Sequence, residues 1–139
     1  MKAPIYSELF FCVKLEANLA TFTLVVTTPP HQNRTATVVE IAHALLNKGH
    51  QINGIFFYQD GVLNASKTLV MPSDEYQSIK SLAALANSNK VPMHLCITAA
   101  EKRGLTDEDS QHNILNFFTI SGLGEMVELN ATSDRVIQL

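Results

Sequence analysis

With 139 residues, 46% apolar and 17% charged, the chain is long enough to bury one core without disulfides or metals and too apolar to be disordered. Its formal net charge is −3, and no basic block or basic–aromatic alternation occurs, which argues against direct nucleic-acid binding through phosphate neutralisation. The two cysteines, Cys12 and Cys96, lie far apart with no CxxC, a usage that fits free thiols in a reducing cytoplasm.

No stretch reaches the ~18 uninterrupted apolar residues that a membrane span needs. Near the start, Glu8 and Lys14 bound the apolar run Leu9–Val13, which is shorter than the ~7–15 residues of a signal-peptide core. Residues 1–20 therefore read as an extension with a small apolar patch, either a packing arm or a product of the assigned start. Residues 21–139 read as the organised domain.

Phe22–Val26 is β-branched and aromatic and stops at Thr27-Thr28-Pro29-Pro30, the pattern of a buried strand followed by a loop. Asn33 or Thr35 can cap a helix in which Val38, Val39, Ile41, Ala42, Leu45 and Leu46 recur at helical spacing, with Gly49 ending it. Ile52–Tyr58 reads as a second strand, closed by the turn dipeptide Asp60-Gly61. A poorly periodic loop runs on to Pro72. Ser73 or Asp74 then caps a helix carrying Tyr76, Ile79, Leu82, Ala83 and Leu85 on one side.

The run from Val91 to Cys96 has a proline near its entry and reads as a third strand; Ala99-Ala100-Glu101-Lys102-Arg103-Gly104 follows as a helical turn closed by glycine. Asp107–His112 is polar loop, and Phe117–Ile120 is a candidate fourth strand. Ser121-Gly122-Leu123-Gly124 introduces a last helix to about Asn130, and Val136–Leu139 ends the chain as a strand. Strands alternating with helical segments predict an α/β fold: one doubly wound, mainly parallel β-sheet with helices on both faces.

Cys96 is the one plausible chemical centre. A buried free cysteine is often merely structural. However, a thiol at a strand's carboxyl end, facing the first turn of a helix, meets free backbone N–H groups and a positive helix terminus, which favour thiolate. Lys102 and Arg103 follow within two turns and can add positive potential. His94 shares a strand face with Cys96 by the period of two, so a Cys–His couple is conceivable, though local satisfaction is the commoner fate of such a histidine. Two potential ligands do not make a zinc site, and no metal or organic cofactor is implied. Cys12 lies in the extension and is expected to be incidental.

Other chemistries fit poorly. A phosphatase loop has five residues between its cysteine and arginine; here six separate Cys96 from Arg103, no glycine opens the cradle, and Glu101 would repel a phosphate. A dinucleotide site would put G-x-G-x-x-G after the first strand, where this chain has Thr27-Thr28-Pro29-Pro30-His31-Gln32-Asn33. Triads, paired carboxylates and P-loops are absent from the sequence.

Several short segments occur together in order: Lys48-Gly49-His50; Phe56-Phe57-Tyr58 with Asp60-Gly61-Val62; Cys96-Ile97-Thr98-Ala99-Ala100 with Arg103-Gly104; Ser121-Gly122-Leu123-Gly124; and Asp134-Arg135-Val136. On these, the chain resembles the sulfur-relay DsrE/TusD family from about Thr21 to Leu139. The resemblance implies a DsrE-like fold and a cytoplasmic sulfurtransferase that carries sulfane sulfur as a persulfide on Cys96. It implies a hetero-oligomer with TusB-like and TusC-like sister subunits, a TusA-like donor and a TusE-like acceptor. The sulfur would go to 2-thiouridine at the tRNA wobble position, with tRNA contacted only indirectly, or would be handled in a sulfur-oxidation pathway. A non-catalytic assembly subunit is a further possibility within such complexes, and an isolated chain could form a homo-oligomer. The chain departs from the family pattern in its extension and in Glu101-Lys102, where a neutral residue followed by arginine is usual.

Overall fold

The computed structural model describes residues 18–139; the apolar run Leu9–Val13 and Cys12 lie outside the described residues. The elements in chain order are β1 (Thr21–Val26), α1 (Arg34–Asn47), β2 (Gln51–Phe57), α2 (Ser78–Asn87), β3 (Met93–Cys96), α3 (Ile97–Glu101), β4 (Thr119–Ser121), α4 (Leu123–Thr132) and β5 (Arg135–Gln138). The strands form one sheet in the order β4-β3-β2-β1-β5, with every neighbouring pair parallel.

The sequence explains this arrangement. A parallel strand covered on both faces must be apolar almost throughout, and Leu24, Val26, Ile55, Phe56, Phe57 and Leu95 are fully buried. Burying the Phe56 and Phe57 side chains stabilises the fold by about 1.5–3 kcal/mol each. Phe57 also meets Phe118 edge-on, with ring centroids 5.0 Å apart, which fixes the segment leading into β4. At the other sheet edge, the Asp134 carboxylate accepts hydrogen bonds from the Thr21 backbone N–H (2.8 Å) and hydroxyl (3.0 Å). These bonds align β5 with β1 and hold the Asp134 carboxyl below its ordinary range.

The connections β1 to β2 to β3 to β4 all step in one direction across the sheet, whereas the return from β4 to β5 runs the opposite way. Right-handed crossovers then put α4 on the face opposite α1, α2 and α3. Its packing agrees: the Thr23 hydroxyl donates to the Leu129 carbonyl at 3.2 Å, and the Leu129 side chain lies over Gly54. Among the described residues, no helix is long and apolar enough to cross a membrane.

The structure corrects several local expectations. The stretch after β2 is no irregular loop, because Gln59–Ala65 forms a 3-10 helix that buries Val62, Asn64 and Ala65. Its tighter repeat leaves no 3.6-residue pattern to read. Neither Ser73 nor Asp74 caps α2, which starts at Ser78. The Gln77 side chain instead donates to the carbonyls of Pro72 and Glu75, making a turn, and Tyr76 is left outside the helix and exposed. Asn33 stands at the α1 N-cap without a side-chain cap bond, and the Thr35 hydroxyl donates to Asn64 Oδ1 at 2.7 Å. Strand β4 begins only at Thr119, and α4 extends to Thr132.

Candidate functional site

Cys96 ends β3 and occupies the N-cap position of α3, its own backbone still extended (φ −67°, ψ 113°) while Ile97 enters the helix. The thiol is buried, with the residue 1% exposed. It lies at the floor of a cleft of about 300 Å³. Tyr58 and Gln59 reach this cleft from the end of β2, Thr98 and Ala99 from α3, Lys102 and Arg103 from the turn after α3, and Leu123 from the start of α4.

Topology explains why a cleft opens here. Strands β3 and β4 are neighbours, with Cys96 opposite Ser121 in register, yet the helices that follow them depart toward opposite faces. Such a divergence is the topological switch point at which α/β sheets leave a crevice beyond the strands' carboxyl ends.

One wall of the cleft is held by Arg103. Its Nε donates to Asp60 Oδ1 at 2.8 Å and its Nη1 to the Ala99 carbonyl at 3.0 Å. The guanidinium thus joins the α3 turn to the 3-10 helix after β2. With side chains 28% and 57% exposed, this pair adds little to stability; its value is geometric. Gly61 is required next to it, because a Cβ there would run into the Val26 carbonyl. On the same rim, Gln59 adopts a left-handed conformation (φ 51°), a strained setting for a residue with a side chain and one that collects at functional sites.

Of the residues singled out from the sequence, Cys96, Lys102 and Arg103 line one cleft, and His94 does not. The His94 ring lies beneath α4, with Nδ1 2.9 Å from the Ser121 hydroxyl and Nε2 3.9 Å from Glu125 Oε1. Burial pushes its pKa below the ordinary 6.5, and the Glu125 carboxylate only partly opposes that shift.

The sequence reading missed Tyr58, Gln59, Asp60 and Leu123 as site residues. The available signal was positional: all four follow the carboxyl ends of the strands flanking β3. A larger cavity, about 550 Å³, lies among Pro30, Leu63, Val70 and Pro72. It contains no cysteine and none of the residues that converge on β3, so its size does not mark it as the reactive site. Among the described residues, no group of three His, Cys, Asp or Glu side chains could hold a metal ion.

Comparison with known proteins agrees with this fold. The model of the DsrE/DsrF-like family matches residues 20–139. Sulfurtransferase TusD of Klebsiella pneumoniae (strain 342) is 37% identical over 125 residues, which cover 84% of this chain and 98% of the relative. The sulfurtransferase TusD homolog of Vibrio cholerae is 38% identical over 126 residues, 85% of this chain and 96% of the relative. The ychN protein of E. coli has the same fold, with a TM-score of 0.68 at 19% identity over 87% of this chain and 100% of that one. The chain belongs to the DsrE/DsrF-like family.

Proposed function

We propose that the chain is a sulfurtransferase subunit of a cytoplasmic sulfur relay, with residues 21–139 as the working domain, residues 1–20 as an extension to it, and Cys96 as the sulfur carrier. The observation that carries this reading is a buried thiol at a strand–helix junction, opening into a cleft at the sheet's switch point. Relatives similar over most of the chain bear the name sulfurtransferase, which supports the same activity here.

The chemistry needs no net oxidation. The Cys96 thiolate attacks the outer sulfur of a donor persulfide; the donor's S–S bond breaks as the new Sγ–S bond forms, and the donor leaves as a thiolate. In the second half, an acceptor thiolate attacks that same outer sulfur and Cys96 leaves as the thiolate. Backbone N–H groups at the start of α3, with Lys102 and Arg103 on the rim, provide the positive surroundings that suit a persulfide anion. A TusA-like protein is the proposed donor and a TusE-like protein the acceptor, with 2-thiouridine at the tRNA wobble position as the destination. The test is a relay assay with a cysteine desulfurase, cysteine, the TusA-like donor and the TusE-like acceptor, followed by mass spectrometry of each protein. Sulfur is expected first on this chain and then on the acceptor; a chain that never carries sulfur would be an assembly subunit, and the reading would fall.

Neutralising the rim, as Lys102→Gln with Arg103→Gln, is expected to slow transfer by about tenfold, the scale of lost charge stabilisation at a partly solvated site. The melting temperature should change little, because surface substitutions shift stability by about 0.5 kcal/mol. Transfer within about twofold of wild type would make the two cations a solvated helix end.

TusB-like and TusC-like proteins are the proposed sister subunits. Val70, Val127 and Val136 are 83%, 63% and 44% exposed, and apolar side chains left in solvent favour association. Co-expression with both sisters is expected to give a complex burying more than ~1,000 Å² per specific interface, while the chain alone forms a homo-oligomer. Light scattering on both preparations decides, and a monomer indifferent to its sisters that still transfers sulfur at full rate would refute the assembly.

A further inference from the structure

A thiol 1% exposed cannot be attacked in line by a partner's thiolate until part of the cleft wall yields. The wall best placed to yield is Leu123, the first residue of α4, which lines the cleft and is 45% exposed. It follows Ser121, the last residue of β4 and the register partner of Cys96, with only Gly122 between them. The joint between β4 and α4 therefore sits beside the thiol.

One side chain faces both sides of that joint. His94, two residues before Cys96 on β3, places Nδ1 2.9 Å from the Ser121 hydroxyl on the β4 side. Its Nε2 faces Glu125 Oε1, in the first turn of α4, at 3.9 Å. The ring can approach because β2 presents Gly54, where any Cβ would meet His94 Cδ2 at 3.2 Å and the Leu129 side chain of α4 at the same distance. We infer that His94 is a positioning residue for sulfur transfer: by tying the end of β4 to the first turn of α4, it sets how far Leu123 covers Cys96. The inference rests on Cys96 being the sulfur carrier.

The two contacts differ in kind. The bond to Ser121 is made at hydrogen-bond distance, whereas 3.9 Å to Glu125 is too long for one. Glu125 is the charged group that faces the ring; β2 contributes Gly54 and β4 contributes Ser121, neither of which titrates. A neutral ring hence grips β4 and leaves α4 loosely held. A protonated ring is a donor at both nitrogens and draws the carboxylate in, closing Leu123 over the thiol. Because burial outweighs Glu125 and lowers the His94 pKa from 6.5, this closure belongs to acid below the ordinary histidine range, and the site is loosened at neutral pH.

The test is the rate of iodoacetamide labelling at Cys96 in the full chain, read peptide by peptide so that Cys12 is scored apart. Taking the ratio of variant to wild type at each pH removes the pH dependence of thiol ionisation that the two share, and a direct effect of the lost charge on the thiol would show at the higher pH as well. For Glu125→Gln the ratio is expected near one at about pH 8 and to rise as the pH is lowered stepwise below about 6.5, reaching about threefold, the scale of a partly exposed ion pair, at the acid end of the series. His94→Ala should label faster than wild type at both ends. His94→Asn, which keeps a polar group in reach of Ser121 but cannot become charged, should restore the rate at the higher pH and lose the slowing at the lower. Ratios within about 1.5-fold of one for Glu125→Gln at both ends of the series would overturn the inference, even if His94→Ala fails to fold. Labelling requires no sulfur, so sulfur loading of the same samples separates the two failures: a wild-type Cys96 that never takes up sulfur refutes the relay, while unmoved labelling ratios refute the clamp.

Discussion

Replacing Cys96 with serine is expected to abolish sulfur loading from a cysteine desulfurase and a TusA-like donor, whereas Cys12→Ser leaves loading intact. A serine oxygen forms no persulfide, and no other described cysteine can take over. Because position 96 is buried, a hydroxyl there lacks water and costs about 1–3 kcal/mol unless it finds a partner. Cys96→Ala is therefore the companion variant, removing the sulfur without adding a polar atom. Both should melt cooperatively and both should fail to load. Peptide mapping that found the added sulfur chiefly on Cys12 would overturn the assignment.

The second large effect is expected at Gly61, away from the reacting sulfur. An alanine Cβ would collide with the Val26 carbonyl and crowd the Thr27 nitrogen. Both are backbone atoms at the exit of β1, an interior strand, so nothing flexible can give way. Gly61→Ala is expected to cost about 3 kcal/mol or more, as overpacking against rigid atoms does, lowering the melting temperature by roughly 10 °C or more. It should also displace Tyr58, Gln59 and Asp60, and with Asp60 the anchor of Arg103. Gly124→Ala is the control, since nothing lies within 4 Å of a Cβ there and alanine favours a helix over glycine by about 1 kcal/mol. Denaturant midpoints for the two variants should move in opposite directions; a Gly61→Ala midpoint equal to wild type would contradict the packing described.

Much of the fold was legible in the residues themselves. Phe22–Val26 and Ile52–Phe57 are too apolar for anything but doubly covered strands, and the β3–α3 junction announced itself through a short apolar run that ends at Cys96. Lys102 and Arg103 were legible as neighbours of the thiol because a helical path keeps residues six and seven positions on within two turns of its start. The other half of the cleft was hidden. Leu123 shares a cleft with Cys96 only because β4 pairs with β3, and Tyr58 and Gln59 only because β2 flanks β3 on the other side; sheet order is a tertiary fact that no local pattern encodes. The pairing of Asp60 with Arg103 depends on the same order, so Asp60-Gly61 was readable as a turn but not as a wall. Ser73 and Asp74 misled for a different reason. Their composition suits a cap, but the Gln77 side chain closes a turn on Pro72 and Glu75, and the helix starts after it.

The position of β1 bears on how the chain is made. Although β1 is the first strand in order among the described residues, it is an interior strand of the sheet, and one of its neighbours is β5. The bonds that align the two, from Thr21 to Asp134, span 113 positions of sequence. During synthesis, β1, β2 and β3 can pair in turn as they emerge from the ribosome, but β1 keeps one bare hydrogen-bonding edge until β5 has emerged. An unpaired edge of this kind recruits any strand in reach, and pairing at such long range is intrinsically slow. The growing polypeptide is therefore vulnerable to aggregation until β5 arrives, and that short strand acts as the latch that ends the vulnerable period.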